Sequence, residues 1–472
     1  MNLPPAFRAR MQQQLGEEYA DFEAALQQLP PVSVRRHPHK PTAQFAACER
    51  VAWCAEGYYL AARPSFALDP LWHAGAYYVQ EAASMWIAAA VQQHLDLTQP
   101  LRVLDLCAAP GGKTTLLASL LHPDSLLVAN EVIQRRVSVL KENMVRWGFP
   151  NIVIANHDPA DFAPLTDFFD LILVDAPCSG EGLFRKDADS VNEWSLESVR
   201  LCGARQQRIL AAAVPLLKPN GVLLYSTCTY NTTENDDNAE WLCAAHGLQP
   251  LPMHTTPILP FLPVARGIGY QCMPHQIKGE GFYFAALRKA PLSPTEAEEA
   301  EIKKNLHFTP SKKSFKNISL KFKNAELLPA TASAAFAPYM REVAAYDFYQ
   351  KPNNEVFALR KTLIDSYWQI DQALQRKQLG SRVGELLARN MFVPAHDLAM
   401  SPSLLGEVPT IDLAEAEALA YLRKANFELP DLPNRPHGWA VVAYMGCALG
   451  WIKVLPNRFN NYLPSEWRLR LR

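Results

Sequence analysis

The chain lacks the features that would take it out of the ordinary globular class. No apolar run reaches the ~20 residues needed to cross a bilayer. The first residues, Met1 to Gln14, are interrupted by Pro4, Pro5, Arg8 and Arg10 and hold no apolar core, so they do not read as a secretory signal. Nine cysteines, an odd number, are scattered without C-x-x-C spacing. That pattern speaks against a disulfide framework and a metal site, and for a reducing, cytoplasmic setting. No internal repeat is visible. Net charge is −1, so the average charge favours no partner.

What is present is a soluble composition, 49% hydrophobic and 20% charged, on 472 residues. That length is too great for one core and implies several domains. Positive charge is clustered although the mean is neutral. Ile302 to Ala325 holds seven lysines and no acid, and Asn434 to Arg472 holds six Lys/Arg against one Glu. Phosphate binding needs such clusters. A lysine run can equally be a solvated linker.

Pro5 to Leu29 reads as amphipathic helix, closed by Pro30-Pro31. Val32 to Pro70 is mixed and proline-punctuated, and a helix follows from Gln80 to Leu95. Alternation begins at Leu101. Strands are expected at Leu101–Cys107, Ser125–Glu131, Asn151–Asp158, Phe169–Asp175, Gly221–Cys228 and Gly281–Leu287. Helices are expected between them, at Lys113–Leu121, Gln134–Trp147, Leu196–Leu217 and Thr233–His246. Strands apolar on both faces that alternate with helices predict a parallel sheet covered on both sides. The domain reading is therefore an N-terminal extension over 1–75, an α/β domain over 76–289, a basic linker over 290–325, and a region over 326–472 that ends in a small β-rich module.

Asp105-Leu106-Cys107-Ala108-Ala109-Pro110-Gly111-Gly112-Lys113-Thr114 links a strand to a helix. Its glycines let a ligand approach the backbone, and the helix start offers free N–H groups. The loop is not a P-loop, because that pattern needs glycine where Cys107 stands. The G-x-G-x-x-G spacing is absent too. Glu131 ends the next strand, where an acid meets ribose hydroxyls. Asp158 ends the third, within reach of an adenine edge. Acids at successive strand ends with no phosphate cradle suit a nucleoside without phosphates, and S-adenosylmethionine is the candidate. The competing reading is that Glu131 and Asp158 cap helices or solvate loops.

Cys178, in Asp175-Ala176-Pro177-Cys178-Ser179-Gly180, and Cys228, in Ser226-Thr227-Cys228-Thr229, each lie just beyond a strand end. That is the ligand crevice of such a sheet. Cys202, Cys243 and Cys447 read instead as small core residues. Two thiols in a crevice suit attack on an electron-poor ring such as cytosine. A thiolate adding to C6 makes C5 nucleophilic enough to accept a methyl group. The thiol must then be eliminated. Cys178 and Cys228 can share attack and release. Asp175 can hydrogen-bond N3 or the exocyclic amine. Lys113 can lower a thiol pKa or contact the base.

These segments resemble the motifs of the Nop/Sun family of RNA 5-methylcytosine methyltransferases, as does Tyr77-Tyr78-Val79-Gln80-Glu81-Ala82. The resemblance implies a Rossmann-like S-adenosylmethionine-dependent methyltransferase with an α-rich N-terminal extension. It implies Cys228 as the thiol that bonds C6, Cys178 as the thiol that assists release, and Asp175 and Lys113 as base contacts. It carries the cofactor site onto Cys107, Ala108, Ala109, Pro110, Gly111, Gly112, Lys113, Glu131, Asp158 and Asp175. Gly180 to Asp187 and the C-terminal extension look like the bacterial RsmF branch, which acts on 16S ribosomal RNA and ends in a PUA-like RNA-binding β-barrel. Gly450-Trp451-Ile452-Lys453 to Asn461-Tyr462-Leu463-Pro464 matches that outline. The implied partner is 16S rRNA in the small subunit, bound by a monomer with no metal and no membrane. The alternatives are a non-catalytic ribosome-assembly factor on the same fold, a methyltransferase of a small molecule or protein, or tRNA or 23S rRNA as substrate.

Overall fold

The computed structural model describes residues 3–256, 262–264, 267–291, 321–323, 325–388, 391–431 and 436–471. Helices α1 (Pro5–Leu15) and α2 (Tyr19–Gln27) open the chain. Pro5 occupies the first turn of α1, where a missing N–H has no partner to lose. Phe7, Met11, Phe22 and Leu26 are buried with Phe184, Trp194 and Tyr230, so both helices dock on the central domain. The extension expected as α-rich also holds a sheet. Strands β1 (Val32–Arg36), β2 (Glu49–Arg50), β3 (Gly57–Leu60) and β4 (Tyr77–Val79) pair antiparallel in the order β2-β3-β1-β4. A one-turn helix α3 (Pro70–His73) precedes β4. Strands this short, broken by prolines, give no readable period of two.

Helix α4 (Trp86–His94) leads into the central sheet. The alternation continues through β5 (Arg102–Asp105), α5 (Gly112–Leu120), β6 (Leu126–Asn130), α6 (Gln134–Trp147), β7 (Ile152–Ala155) and β8 (Phe169–Asp175). It ends with α7 (Ala188–Glu193), α8 (Leu196–Ala213), β9 (Leu217–Thr227), α9 (Asp236–His246), β10 (Gln249–Pro250), β11 (Tyr270–Cys272) and β12 (Phe282–Arg288). Strands β9-β8-β5-β6-β7 are parallel. Alternate residues feed opposite faces. Val103, Leu127, Leu171 and Leu224 join one apolar cluster, and Leu104, Val128, Ile172 and Leu223 join the other. The sheet is mixed and not wholly parallel, because β12 runs antiparallel to β9. The chain starts at central β5, moves outward through β6 and β7, then crosses to β8 on the other side. This reversal opens a crevice past the ends of β5 and β8.

After the linker, most of which lies outside the described residues, come β13 (Glu326–Leu327), β14 (Tyr346–Gln350), β15 (Glu355–Arg360), α10 (Ile364–Ala373) and β16 (Lys377–Leu379). Strands β17 (Ser381–Leu387) and β18 (Met391–Pro394) close a five-stranded sheet, β13-β14-β15-β17-β18. Strand β16 leaves that sheet and pairs antiparallel with β7, so a C-terminal segment forms the far edge of the central sheet. Helix α11 (His396–Met400), β19 (Thr410–Asp412), α12 (Glu415–Leu422), β20 (Gly438–Tyr444), β21 (Cys447–Val454) and β22 (Phe459–Asn461) form the last module. Its core is shared with the N-terminal sheet: Val34, Tyr58 and Tyr77 are buried with Ile411, Tyr421 and Ile452. No described helix is long and apolar enough to cross a membrane.

Candidate active site

The loop from Leu106 to Gly111 leaves β5 and enters α5 at the crevice. Gly111 has φ 112°, a left-handed backbone that only glycine takes without strain. A Cβ there would lie 2.9 Å from the Met144 methyl group. The turn borders a cavity of about 190 Å³ lined by Tyr78, Asp105, Cys107–Pro110, Gly112, Lys113 and Asp175. Asp105 is fully buried in its wall. Its Oδ2 accepts from Thr114 Oγ1 at 2.7 Å, but its Oδ1 has no partner among the described residues. Burial, only partly offset by Thr114, pushes the carboxyl up to about 7. An orphaned carboxylate oxygen in the wall of a cavity fits a cationic ligand group, such as the ammonium of S-adenosylmethionine.

Glu131, buried just after β6, accepts from the Ile133 N–H at 2.9 Å and pairs with Arg136 at 3.2 Å. Arg136 also donates to the carbonyl of Ala109, which ties this acid to the loop. Asp158 caps the turn that starts at Pro159, accepting from the Ala160 N–H at 3.1 Å, and pairs with Arg208 at 2.9 Å. Neither acid lines the cavity itself.

The two thiols meet. Cys178 Sγ and Cys228 Sγ are 2.9 Å apart, and the Cys228 N–H points at Cys178 Sγ at 3.3 Å. All nine cysteines are unbridged. The hydrogen bond with Cys228, then burial, hold the Cys178 thiol well above its ordinary range, in the protonated form. Beside them, Lys113 Nζ lies 2.8 Å from Asp175 Oδ2, and Ser226 Oγ donates to Asp175 Oδ1 at 2.8 Å. Burial opposes the Lys113 charge, but Asp175 outweighs it and keeps the pKa above normal. Lys113 also sits 5.0 Å over the Phe282 ring. The structure thus joins the four residues Cys178, Cys228, Asp175 and Lys113 at one end of the sheet.

Sequence reasoning missed four residues that hold this geometry. Buried Glu234 accepts from the N–H of Ser179 at 2.9 Å and from its hydroxyl, while Ser179 Oγ meets Thr229 Oγ1 at 3.1 Å. Gln206 bridges Glu234 and the Pro177 carbonyl. Burial raises the Glu234 pKa. This network staples the Cys178 loop to the Cys228 loop. Glu234 falls in the first turn of the helix expected at Thr233–His246, and nothing in its neighbours marks it. Glu181, fully buried, takes Arg10 of α1 at 2.7 Å, Trp194 at 2.9 Å and the Tyr230 N–H at 3.1 Å. Arg35 of β1 is buried behind the cofactor loop. It donates to Gln80 Oε1, Ser119 Oγ, Thr115 Oγ1 and the Gly112 carbonyl, and stacks 4.4 Å over Trp147. No carboxylate among the described residues bonds it, and burial lowers its pKa to about 10.

Known proteins show the same organisation. The family described as 16S rRNA methyltransferase RsmB/F matches residues 92–288. The N-terminal domain of 16S rRNA methyltransferase RsmF matches 3–82, and the RsmF PUA domain matches 408–469. Ribosomal RNA small subunit methyltransferase F of Shewanella loihica is 32% identical across 89% of this chain and 83% of its own. The protein of that name from Shewanella baltica is 31% identical across 88% and 84%. A methyltransferase homolog from Pyrococcus horikoshii superposes with TM-score 0.51 at 28% identity, covering 60% of this chain and 94% of its own. NSun6 from the same organism, at TM-score 0.51 and 20% identity over 61% and 99%, shares the fold. The central sheet is a Rossmann-like methyltransferase fold and the C-terminal module a PUA domain. Because the likeness runs from the N-terminal helices through the thiol loops to the last sheet, the chain belongs to the RsmF-like branch of the Sun family of ribosomal RNA methyltransferases.

Proposed function

We propose that the protein methylates C5 of a cytosine in 16S ribosomal RNA through a covalent Cys–C6 bond. The observation that carries this reading is the pair of thiols 2.9 Å apart beside the Lys113–Asp175 ion pair. Bound S-adenosylmethionine supplies the methyl group. In this reading Asp105 holds its ammonium, Glu131 its ribose hydroxyls and Asp158 its adenine edge, with the Cys107–Gly112 turn against its backbone.

The Cys228 thiolate adds to C6, and the C5–C6 pair moves toward C5, which takes the methyl group. Asp175, kept in place by Lys113 and Ser226, accepts from the exocyclic amine and from N3 once N3 has taken up the proton that Cys228 gives up. Loss of the C5 proton then restores the double bond and expels the Cys228 sulfur. Cys178, held protonated beside it, gives its proton to the leaving Cys228 sulfur, and the Cys178 sulfur so freed takes the proton from C5.

The test is transfer of labelled methyl groups to rRNA by the wild type and by Cys228→Ala, with 5-methylcytosine mapped in a deletion strain. Wild-type transfer, its loss in Cys228→Ala and one or more missing 5-methylcytosines in 16S rRNA are expected. Full turnover by Cys228→Ala, or marks missing only from tRNA or 23S rRNA, would overturn the mechanism or the substrate respectively.

A further inference from the structure

A second cavity, of about 910 Å³, opens between the N-terminal sheet and the central domain. It shares the lining residues Val79, Gln80 and Glu81 with the cofactor cavity, so the two spaces adjoin across β4 and the turn that follows it. One wall, Lys186 and its neighbours, leads back to Gly182, whose N–H donates to the Cys228 carbonyl at 2.8 Å. Gly182 is pressed so close there that a Cβ would lie 2.9 Å from that carbonyl. The cleft therefore lies beside the cofactor cavity, and its wall at Arg185 and Lys186 continues along the chain to the segment that meets the Cys228 loop.

Its lining has two characters. Leu29, Pro30, Pro31, Leu60 and Ile277 make an apolar wall, and Leu29 is 92% exposed. Arg63, Lys186 and Lys278 stand along the rim. Arg63 pairs with no carboxylate among the described residues and lies over the Phe66 ring at 5.4 Å. Lys278 lies 4.5 Å over Tyr59 and meets exposed Glu49. Lys186 is 3.7 Å from Glu280, which Arg185 binds more closely at 3.0 Å. The one acid in the lining, Glu81, is taken up by the N–H groups of Ala83, Ser84 and Glu280. An apolar wall under a cationic rim complements a strand that turns its bases inward and its phosphates outward. A duplex keeps its bases stacked and offers no such face, and the target ring must leave the stack to reach a sulfur atom.

We propose that this cleft holds the single-stranded RNA flanking the target cytidine. Bases lie against Leu29, Leu60 and Ile277, and phosphates lie on Arg63, Lys186 and Lys278. The inference rests on the rRNA methyltransferase reading and adds where the substrate enters.

The test uses the full chain and a fluorescent single-stranded RNA of about 12 nucleotides containing cytidine, within the usual site size. The same sequence as a duplex is the second arm. Variants are Arg63→Glu, Lys278→Glu and the double. Arg200→Glu, an exposed residue of α8 that lines neither cavity, controls for net charge. The double variant should bind the single strand at least tenfold more weakly. Its salt slope should fall by about 1.4, since each lost single-strand phosphate contact removes ~0.7. Arg200→Glu should behave as wild type, and affinity for S-adenosylmethionine by calorimetry should hold throughout. A double variant equal to wild type, an equal loss in Arg200→Glu, or tighter binding of the duplex would overturn the cleft assignment alone. A wild type that binds neither RNA would overturn the rRNA reading with it.

Discussion

Asp105 shows how one buried side chain can set the working range of the site. Its carboxyl titrates at about 7 because burial disfavours the charged form, and only the charged form can hold a cation. Below 7 the group is neutral, so affinity for S-adenosylmethionine should fall about tenfold per pH unit. Above 7 it should level off, and then decline once the ligand's ammonium deprotonates at ~8. Asp105→Asn should bind weakly with no such slope. Calorimetry between pH 5.5 and 8.5 checks this, and an unchanged slope in Asp105→Asn would remove Asp105 from the site. Glu131→Ala should lose hydrogen bonds of roughly 1–3 kcal/mol, and with them ten- to a hundredfold in cofactor affinity. Unchanged affinity would place Glu131 outside it. Glu131 was singled out from the sequence because strand ends in this fold face the ligand, and Asp105 was not, because it reads as part of a buried strand. Nor were Glu234 and Glu181, because a buried carboxylate that accepts from distant loops looks like any exposed Glu in a sequence.

At the level of elements, the N-terminal sheet supports the cofactor loop from behind. Arg35 in β1 reaches the Gly112 carbonyl, the first turn of α5, and Gln80 just beyond β4. Replacing it by Met keeps the volume and loses these bonds. The KM for S-adenosylmethionine should rise about tenfold, as the loss of ~1.4 kcal/mol implies, while kcat changes little. Restoration by Lys would be partial, because Lys lacks the planar fork. Equal loss in kcat and KM terms, or none, would contradict this role. The long strands and helices from β5 to β9 were readable, since apolar runs of that length alternate with periodic helices. The β1–β4 sheet was not, because pairs set by residues far apart leave no local pattern. Nor was β16, whose strand character comes from its docking on β7.

Across the whole molecule the modules are interlocked. The sequence reads the α/β domain as ending at residue 289. Instead β16 completes its sheet, and Tyr367, Ile370 and Leu374 are buried in the same cluster as Leu104 and Val128. Burial of each such side chain contributes roughly 1.5–3 kcal/mol. Truncation after Lys289 should therefore lower the thermal midpoint or abolish cooperative unfolding, and an unchanged midpoint would show that the C-terminal half adds nothing to the core. The junction of the outer modules also carries a pH dependence. Burial and nearby Arg146 and Lys40 push His396 down to about 3, and burial lowers His73 to about 4. His396 has no hydrogen-bond partner on either ring nitrogen among the described residues. Between these values and 6.5 the unfolded chain binds protons that the folded chain does not. Their contribution is complete above 6.5 and is lost as pH falls toward 4. Denaturation midpoints should drop over that window, and less so in His396→Phe. A flat profile in the wild type would contradict it.

The central claim is the division of labour between two touching thiols, and the most direct measurement is covalent trapping. Cys178→Ala, incubated with rRNA and S-adenosylmethionine, should accumulate a protein–RNA species that survives denaturing electrophoresis, because attack through Cys228 continues while release stalls. The species should vanish when Cys228 is also replaced by Ala. No adduct from Cys178→Ala, or an adduct that persists without Cys228, would contradict the account.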